Sequence, residues 1–166
     1  KMDTLRSVGL YSIAYRFVYP IIAIAVALMS ALFPILSAYW GRHMDKLAAL
    51  YQQGINTTLI LAGAVFCGIE PSARFLTGLW GPEAVEATLA LQILGAAIVV
   101  LFISSTVGPM FIVIGRRWLA LAFGCFGVLL NFTLNLILIP RYSYIGAAVA
   151  TILTEICLMC PAFYVV

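Results

Sequence analysis

The sequence predicts an all-α fold, a polytopic membrane helical bundle with five transmembrane helices and one short interfacial helix. Hydrophobic residues make up 64% of the 166 residues and charged residues only 9%, whereas a water-soluble domain needs a far more polar surface. The apolar residues also form long runs, and about 20 such residues suffice to cross a bilayer. Four runs lack Asp, Glu, Lys and Arg and hold 25, 23, 29 and 23 residues: 17–41, 47–69, 87–115 and 118–140. A fifth run, 142–166, is interrupted only by Glu155.

Short polar segments join these runs into five predicted spans. Apolar and aromatic residues follow Pro71 at 75–80 and predict the short interfacial helix. Gly115-Arg116-Arg117 is a tight turn, which makes the third and fourth spans adjacent and antiparallel. The fourth span is expected to end at Pro140, because proline removes a backbone donor, and a five-residue polar turn then leads into the fifth. The predicted spans are about 10–39, 54–70, 84–114, 118–139 and 144–166, joined after the first by an amphipathic connector at 40–53.

The last two spans carry two asparagines and a stripe of small residues. Asn131 and Asn135 lie four residues apart, so they share one helix face. Gly146, Ala150 and Thr154 repeat at the same spacing in the fifth span. Small residues at this spacing allow two membrane helices to approach closely. The sequence therefore predicts that these two spans pack against each other as a hairpin.

Glu155 is the carboxylate that interrupts the fifth run. It lies about 16 Å along its helix at 1.5 Å per residue, near the middle of a hydrocarbon core about 30 Å thick. A carboxylate there costs about 3 kcal/mol on insertion scales, so we expect it to face protein or water. It is a candidate for proton or sodium coupling, because the chain contains no GxxxxGK[ST] motif for ATP. The alternative is a protonated carboxyl that hydrogen-bonds across the helix pair, for instance to Asn135, and serves packing.

Other features argue against metal, cofactor and nucleic-acid binding. Cys157-x-x-Cys160 lacks a second Cys/His pair within the chain, whereas structural zinc needs four ligands, so we predict a packing role. The net charge of +3 is scattered, without the Lys/Arg block that nucleic acids require. The sequence begins at Lys1 and ends while still apolar at Val166. We therefore expect a single transmembrane domain, 1–166, that is an internal piece of a longer membrane protein.

Four stretches of the chain are shared, in order and spacing, with a known family. They are GLYSIAYR at 9–16, LFPIL at 32–36, Gly115-Arg116-Arg117, and 131–155, which contains NLILIPRY and GAAVAT. Together they resemble the Wzx-type polysaccharide flippases of the multidrug/oligosaccharidyl-lipid/polysaccharide exporter superfamily. The residues at 68–71 and 78–81 fit the family pattern only loosely.

The resemblance implies twelve to fourteen helices in two lobes around a central cavity, with this chain forming most of the second lobe. It implies a transporter that moves isoprenoid-pyrophosphate-linked oligosaccharide, such as an O-antigen precursor, from the inner to the outer leaflet. The membrane would be the cytoplasmic membrane of a bacterium or archaeon. The implied partners are the lipid-linked oligosaccharide, membrane lipid and the missing first lobe, with a proton or sodium ion as coupling ion. It also places 40–53 and 115–117 at the cytoplasmic face, which the Lys/Arg distribution weakly favours.

Five residues are candidates for the substrate site of such a transporter. An anionic, sugar-bearing head group crosses a low-dielectric layer only if polar side chains offset its desolvation. The guanidinium of Arg16 matches pyrophosphate oxygens, although Arg16 could equally be a snorkelling arginine at the membrane edge. Tyr11 and Tyr15 could stack on sugars or form part of an interfacial aromatic belt. Asn131 and Asn135 could bind substrate or hydrogen-bond between helices.

Two other functions are alternatives to the flippase. A cation-coupled multidrug or metabolite exporter of the same superfamily would differ only in its cavity chemistry, because cationic drugs favour carboxylates over arginines. A membrane-embedded polysaccharide polymerase or glycosyltransferase needs paired carboxylates or a catalytic His/Arg set on a sizeable loop. The longest predicted loop has about fourteen residues and holds one carboxylate, Asp45. The sequence therefore predicts a protein that is not an enzyme.

Overall fold

The computed structural model describes residues 4–165, including the side chains of residues 6–159. The regular elements in this range are helices, so the all-α prediction is confirmed. They are α1 (Thr4–Tyr39), α2 (Met44–Gly78), a 3₁₀ helix (Pro82–Ala87), α3 (Thr88–Val113) and α4 (Arg117–Val165). Residues 1–3 and 166, at the two ends of the predicted domain, lie outside the described residues.

Four helices in the described range are long and apolar enough to cross a membrane. They contain the uninterrupted apolar runs of the sequence, and each exceeds the roughly 20 residues that a span needs. The chain is therefore a multi-pass membrane protein segment. These candidate stretches are Arg6–Tyr39, Met44–Gly78, Pro82–Val113 and Arg117–Met159, and the last of them reverses direction at Ser143.

The predicted count of five separate helices is wrong. The predicted spans 118–139 and 144–166 belong to one helical element, α4, which has non-helical backbone angles at Ser143 (φ 57°, ψ −136°). The helix continues through Pro140, because neighbouring groups in a membrane bundle can compensate for the hydrogen bond that proline removes. One residue thus replaces the expected five-residue turn. We call 117–142 the first arm of α4 and 144–165 the second arm.

The predicted short interfacial helix at 75–80 is also wrong. α2 continues through Pro71 to its end at Gly78. Its inward face stays packed beyond the proline, since Ala73 and Thr77 are completely buried, and this burial favours one continuous helix. The predicted connector at 40–53 is mostly helical as well, because α2 begins at Met44.

α3 is the central helix of the bundle and packs against α1, α2 and α4. Its side chains Leu91, Leu94 and Ile98 are completely buried and form the core with residues of α1 and α2. A buried hydrogen bond of 3.2 Å joins the Thr58 and Thr106 hydroxyls of α2 and α3. The outward faces of the helices are apolar and exposed, as expected for surfaces that meet lipid or another part of a membrane protein.

The two arms of α4 fold back on each other along the small-residue stripe. Gly146, Ala150 and Thr154 are buried, and a Cβ added at Gly146 would lie 2.5 Å from the carbonyl oxygen of Leu138. Only glycine fits at this distance, so the backbones of the two arms approach closely there. The stripe therefore lies between the arms, as the sequence predicts.

Candidate functional site

A cavity of about 460 Å³ lies between α1 and both arms of α4. It brings together four of the residues singled out from the sequence, Tyr11, Tyr15, Asn131 and Asn135. We call it the tyrosine–asparagine groove. All eleven lining residues are uncharged, and the other seven are Ser7, Val8, Ile139, Ser143, Tyr144, Ala147 and Thr151.

The α1 wall of the groove is aromatic. The ring centroids of Tyr11 and Tyr15 lie 4.8 Å apart with the planes tilted by 48°, because residues four apart stack on one helix face. Tyr19 continues the stack at 5.2 Å from Tyr15, but its side chain is 67% exposed and lies outside the groove. Two of the three tyrosine rings therefore form the wall.

The α4 wall carries a directed chain of hydrogen bonds. The Thr154 hydroxyl donates to the Ala150 carbonyl oxygen at 2.8 Å, and Asn131 Nδ2 donates to Thr154 Oγ1 at 3.3 Å. Asn135 Nδ2 donates to Asn131 Oδ1 at 2.8 Å. Asn131 thus forms a hydrogen bond between the two arms, which is one of the two roles that the sequence left open for it. Asn135 Oδ1 is buried and has no hydrogen-bond partner among the described residues.

Polar contacts hold the end of the groove near the Ser143 turn. Ser143 Oγ lies 2.9 Å from Ser7 Oγ of α1, and the Tyr144 hydroxyl donates to the Glu86 carbonyl oxygen at 3.1 Å. Arg6 also forms a 2.8 Å ion pair with Glu86. This pair is exposed, so it contributes at most about 1 kcal/mol. The contacts fix where α1, the 3₁₀ helix and the second arm of α4 meet.

A second cavity, of about 340 Å³, lies between α3 and the two arms of α4. We call it the carboxylate cavity, because it contains Glu155 together with Ser104 and the stacked rings of Phe111 and Phe123, whose centroids lie 5.2 Å apart. Ser104 Oγ is buried without a hydrogen-bond partner among the described residues. The rest of the lining is Val107, Gly108, Ile112, Ala120, Gly124, Leu158 and Met159.

Glu155 lines a further cleft, between the two arms, together with Asn131 and Asn135. Within the described part of the chain, no hydrogen bond or ion pair involves the Glu155 carboxylate. The hydrogen bond to Asn135 that the packing alternative suggested is not formed among the described residues, since Asn135 Oδ1 has no partner there. Glu155 therefore lies on the wall between the inter-arm cleft and the carboxylate cavity.

Arg16 does not join the groove. Its guanidinium carbon lies 4.5 Å from the ring centroid of Trp80, just after α2, and both side chains are exposed. An exposed cation–π contact contributes about 0.5–1 kcal/mol. The structure thus places Arg16 on the face next to the one that carries Tyr11 and Tyr15.

Comparisons with known proteins agree with this architecture. No protein-family model matches the chain. The chain is 27% identical over 153 residues to the probable low-salt glycan biosynthesis flippase Agl15 of Haloferax volcanii. The aligned region covers 91% of the chain and 32% of that protein. The fold of the present chain matches a crystal structure of MATE in the straight conformation with a TM-score of 0.87 at 23% identity, over 99% of the chain and 37% of that structure. An outward-facing multidrug resistance MATE family transporter of the MOP superfamily matches with a TM-score of 0.86.

The chain has the MATE fold. The similarity to the curated flippase, together with this fold, confirms the resemblance to the flippase and exporter superfamily that the sequence shows. The chain spans about a third of the length of the curated relative and 37% of the solved MATE structure. The curated relative is named as a flippase and the outward-facing MATE protein as a transporter, and neither name is that of an enzyme.

Tryptophans place the two cavities of this MATE-fold segment relative to the membrane. Trp80 is at one end of the bundle, and Trp40 and Trp118 are at the other, all of them exposed. Tryptophan is enriched at membrane–water interfaces. Along α1, about 36 Å of helix separates Arg16, which contacts Trp80, from Trp40, somewhat more than a hydrocarbon core of about 30 Å. Tyr11 and Tyr15 therefore lie at the Trp80 interface, and Glu155 lies between the interfaces.

Some residues of these cavities were missed by the sequence reasoning. Thr151 lines the groove. Its spacing from Tyr144, Ala147 and Glu155 places it on the same helix face, and this spacing could have identified it from the sequence. Nothing in the sequence distinguishes Ser104 from the other hydroxyl residues of α3. A group of three or more His, Cys, Asp or Glu side chains that could hold a metal is not found within the described range. Cys157 is free and exposed, whereas the Cys160 side chain lies outside that range.

Proposed function

We propose that the full protein flips isoprenoid-pyrophosphate-linked oligosaccharide across the cytoplasmic membrane of a bacterium or archaeon during polysaccharide biosynthesis. This chain contributes a single transmembrane domain, most of the second lobe, and a first lobe completes the central cavity. The observation that carries the proposal is the tyrosine–asparagine groove, in which two aromatic rings face a row of uncharged polar groups. The relative named as a glycan biosynthesis flippase supports the same substrate class.

The groove suits a sugar-bearing head group on physical grounds. Moving hydroxyl groups out of water without replacing their hydrogen bonds is costly, and the groove offers amide and hydroxyl groups in compensation. Its volume of about 460 Å³ lies within the usual range for ligand pockets, about 300–1,000 Å³. The lipid tail can remain in the bilayer, so this chain needs to solvate only the head group.

Arg16 remains the candidate for the pyrophosphate in this proposal. At the Trp80 interface its exposed guanidinium lies at the level of lipid phosphates. A planar guanidinium binds phosphate oxygens through two parallel hydrogen bonds and stays charged at any physiological pH. In the proposed orientation, with 40–53 and 115–117 in the cytoplasm, this interface belongs to the outer leaflet.

Glu155 is the proposed coupling site for a proton or sodium ion. Its carboxylate has no counter-charge among the lining residues of the carboxylate cavity and lies between the two interfaces. The same observation supports a second candidate function, a cation-coupled multidrug or metabolite exporter. A carboxylate beside the stacked rings of Phe111 and Phe123 could hold an organic cation.

Glycan export in a strain that lacks its own flippase tests the two functions. With the full-length gene supplied, we expect Tyr11→Ala and Asn135→Leu to reduce surface glycan at least fivefold and to cause lipid-linked glycan to accumulate. The matched controls are Tyr142→Ala, an exposed tyrosine outside the groove, and Asn56→Leu, an exposed asparagine bonded to Gln52. Unchanged glycan export combined with altered resistance to cationic drugs would favour the exporter.

A further inference from the structure

The tyrosine–asparagine groove combines an uncharged lining with a buried acceptor that no described residue satisfies. We propose that it is a subsite for neutral glycosyl residues and that the pyrophosphate of the same substrate is bound outside it. This inference rests on the proposed function. It adds that the sugar and the pyrophosphate of the substrate are bound at two separate places in the chain.

The orientation of the Asn135 amide is set by its neighbours. The Thr154 hydroxyl has one hydrogen and gives it to Ala150, so Thr154 Oγ1 can only accept from Asn131 Nδ2. Asn131 Oδ1 must then face Asn135, and it accepts from Asn135 Nδ2. Exchanging the oxygen and nitrogen of Asn135 would place two acceptors against each other. The unpartnered atom is therefore the carbonyl oxygen, Asn135 Oδ1.

Neighbouring hydroxyls of the second arm are already engaged. Thr151 donates to the Ala147 carbonyl oxygen at 3.1 Å, and Tyr144 donates to Glu86. Buried acceptors in native proteins are nearly always satisfied. Since no described residue donates to Asn135 Oδ1, a hydrogen-bond donor from a bound molecule can pair with it in the occupied state.

The need for a hydrogen-bond donor distinguishes the sugar of the proposed substrate from its pyrophosphate. A sugar carries hydroxyl donors around its ring, and an N-acetyl sugar adds an amide donor. An ionised pyrophosphate carries only acceptors, so its oxygens would repel Asn135 Oδ1. The groove also supplies no lining cation to offset that charge, so a pyrophosphate bound there would lose part of its hydration without gaining a counter-charge.

The shape and charge of the groove favour a neutral ring over an amine. The tilted rings of Tyr11 and Tyr15 form a continuous wall, and a sugar can lay its C–H face on such a wall. An ammonium group would also donate to Asn135 Oδ1, but no carboxylate lines the groove. Arg16, the cation next to Tyr15 in sequence, has its guanidinium over Trp80.

Two probes that differ by one sugar test the division. The full-length protein in nanodiscs is titrated with citronellyl pyrophosphate and with citronellyl-pyrophosphoryl glucose, and each Kd is measured. We expect Asn135→Leu to weaken binding of the glucosylated probe about tenfold and binding of the bare pyrophosphate less than twofold. Arg16→Ala should weaken both probes by the same factor. Asn56→Leu is the matched control and should change neither.

The midpoint of thermal unfolding is the folding control for every variant, and retained binding of the bare pyrophosphate is a second control for the groove variants. Tyr15→Ala should reproduce the effect of Asn135→Leu, and Tyr15→Phe should retain most of the affinity for the glucosylated probe, since it keeps the ring. The subsite assignment is overturned if the sugar adds no affinity in the wild type, or if Asn135→Leu and Tyr15→Ala, with the thermal unfolding midpoint of the wild type, change the two Kd values by the same factor. If the wild type binds neither probe, the proposed function fails as well.

Discussion

Replacing Gly146 by alanine should force the two arms of α4 apart. The added Cβ would lie 2.5 Å from the carbonyl oxygen of Leu138 and 2.7 Å from its carbonyl carbon. Both are backbone atoms, so they cannot swing away as the end of a side chain can. Inserting one methyl group into a well-packed site costs about 1–3 kcal/mol. We expect the upper part of this range, because relief requires the arms to separate by at least about half an ångström, to the shortest contact that real Cβ atoms make.

The separation should also break the polar link between the arms. The Asn131 Nδ2 to Thr154 Oγ1 hydrogen bond is already 3.3 Å long. A further half ångström would take it past the distance at which such a contact still counts as a hydrogen bond, about 3.5 Å. Gly146→Ala should therefore lower both the thermal stability and the transport activity of the full-length protein.

Two other glycines of α4 provide graded controls. A Cβ at Gly127 would meet Leu158 Cδ1 at 2.8 Å, which is the movable end of a side chain, and a Cβ at Gly124 would meet nothing within 4 Å. Alanine is favoured over glycine in helices by about 1 kcal/mol. We expect Gly124→Ala to leave the midpoint of thermal unfolding in detergent unchanged or raised, Gly127→Ala to lower it slightly and Gly146→Ala to lower it most. Equal midpoints for Gly124→Ala and Gly146→Ala would refute the close approach of the arms.

Three further variants test the coupling, the pyrophosphate candidate and the core. Glu155→Gln should make transport in proteoliposomes insensitive to a protonophore or to sodium removal, and undiminished sensitivity would leave Glu155 with a packing role. Arg16→Ala should abolish glycan export while membrane insertion stays normal, and near-normal export would remove Arg16 from the site. Thr58→Val should destabilise the full-length protein by about 1 kcal/mol, because it removes a buried bond to Thr106. Thermal unfolding measures this, and a matching change at the exposed Thr133 should have no effect.

Residue spacing predicted which side chains share a helix face, but not which faces meet. The four-residue spacing of Tyr11 and Tyr15, and of Asn131 and Asn135, defines two helix faces from the sequence alone. Those faces belong to helices more than a hundred residues apart, and their meeting in one groove depends on how α1 and α4 pack on α3. The contact between Arg16 and Trp80 likewise depends on how α1 and α2 pack, and it could not be predicted from the sequence.

Helix ends were harder to predict than helix existence. The second predicted span ends just before Pro71 and the fourth ends at Pro140, yet both helices continue through these prolines. In a membrane bundle an interrupted helix exposes backbone groups that water cannot satisfy, so continuing the helix is favoured even at proline. Ser143 takes the turn instead, with a positive φ of 57° that is uncommon for serine. Its hydroxyl contact with Ser7 is tertiary and could not be read from the local sequence.

The distribution of unsatisfied groups separates the stable part of the bundle from the part that faces a substrate. Where α1, α2 and α3 meet, the core is apolar and the buried Thr58 and Thr106 hydroxyls satisfy each other. The two buried orphan atoms in the described range, Ser104 Oγ and Asn135 Oδ1, both line cavities against α4, as does Glu155. Leaving such groups unpaired costs stability, and a transporter can tolerate that cost where the groups have a ligand during its cycle. Positions that line these cavities, such as Ser104 and Asn135, are therefore where substitutions should change transport more than stability, unlike the α1–α3 core and the small-residue stripe between the arms.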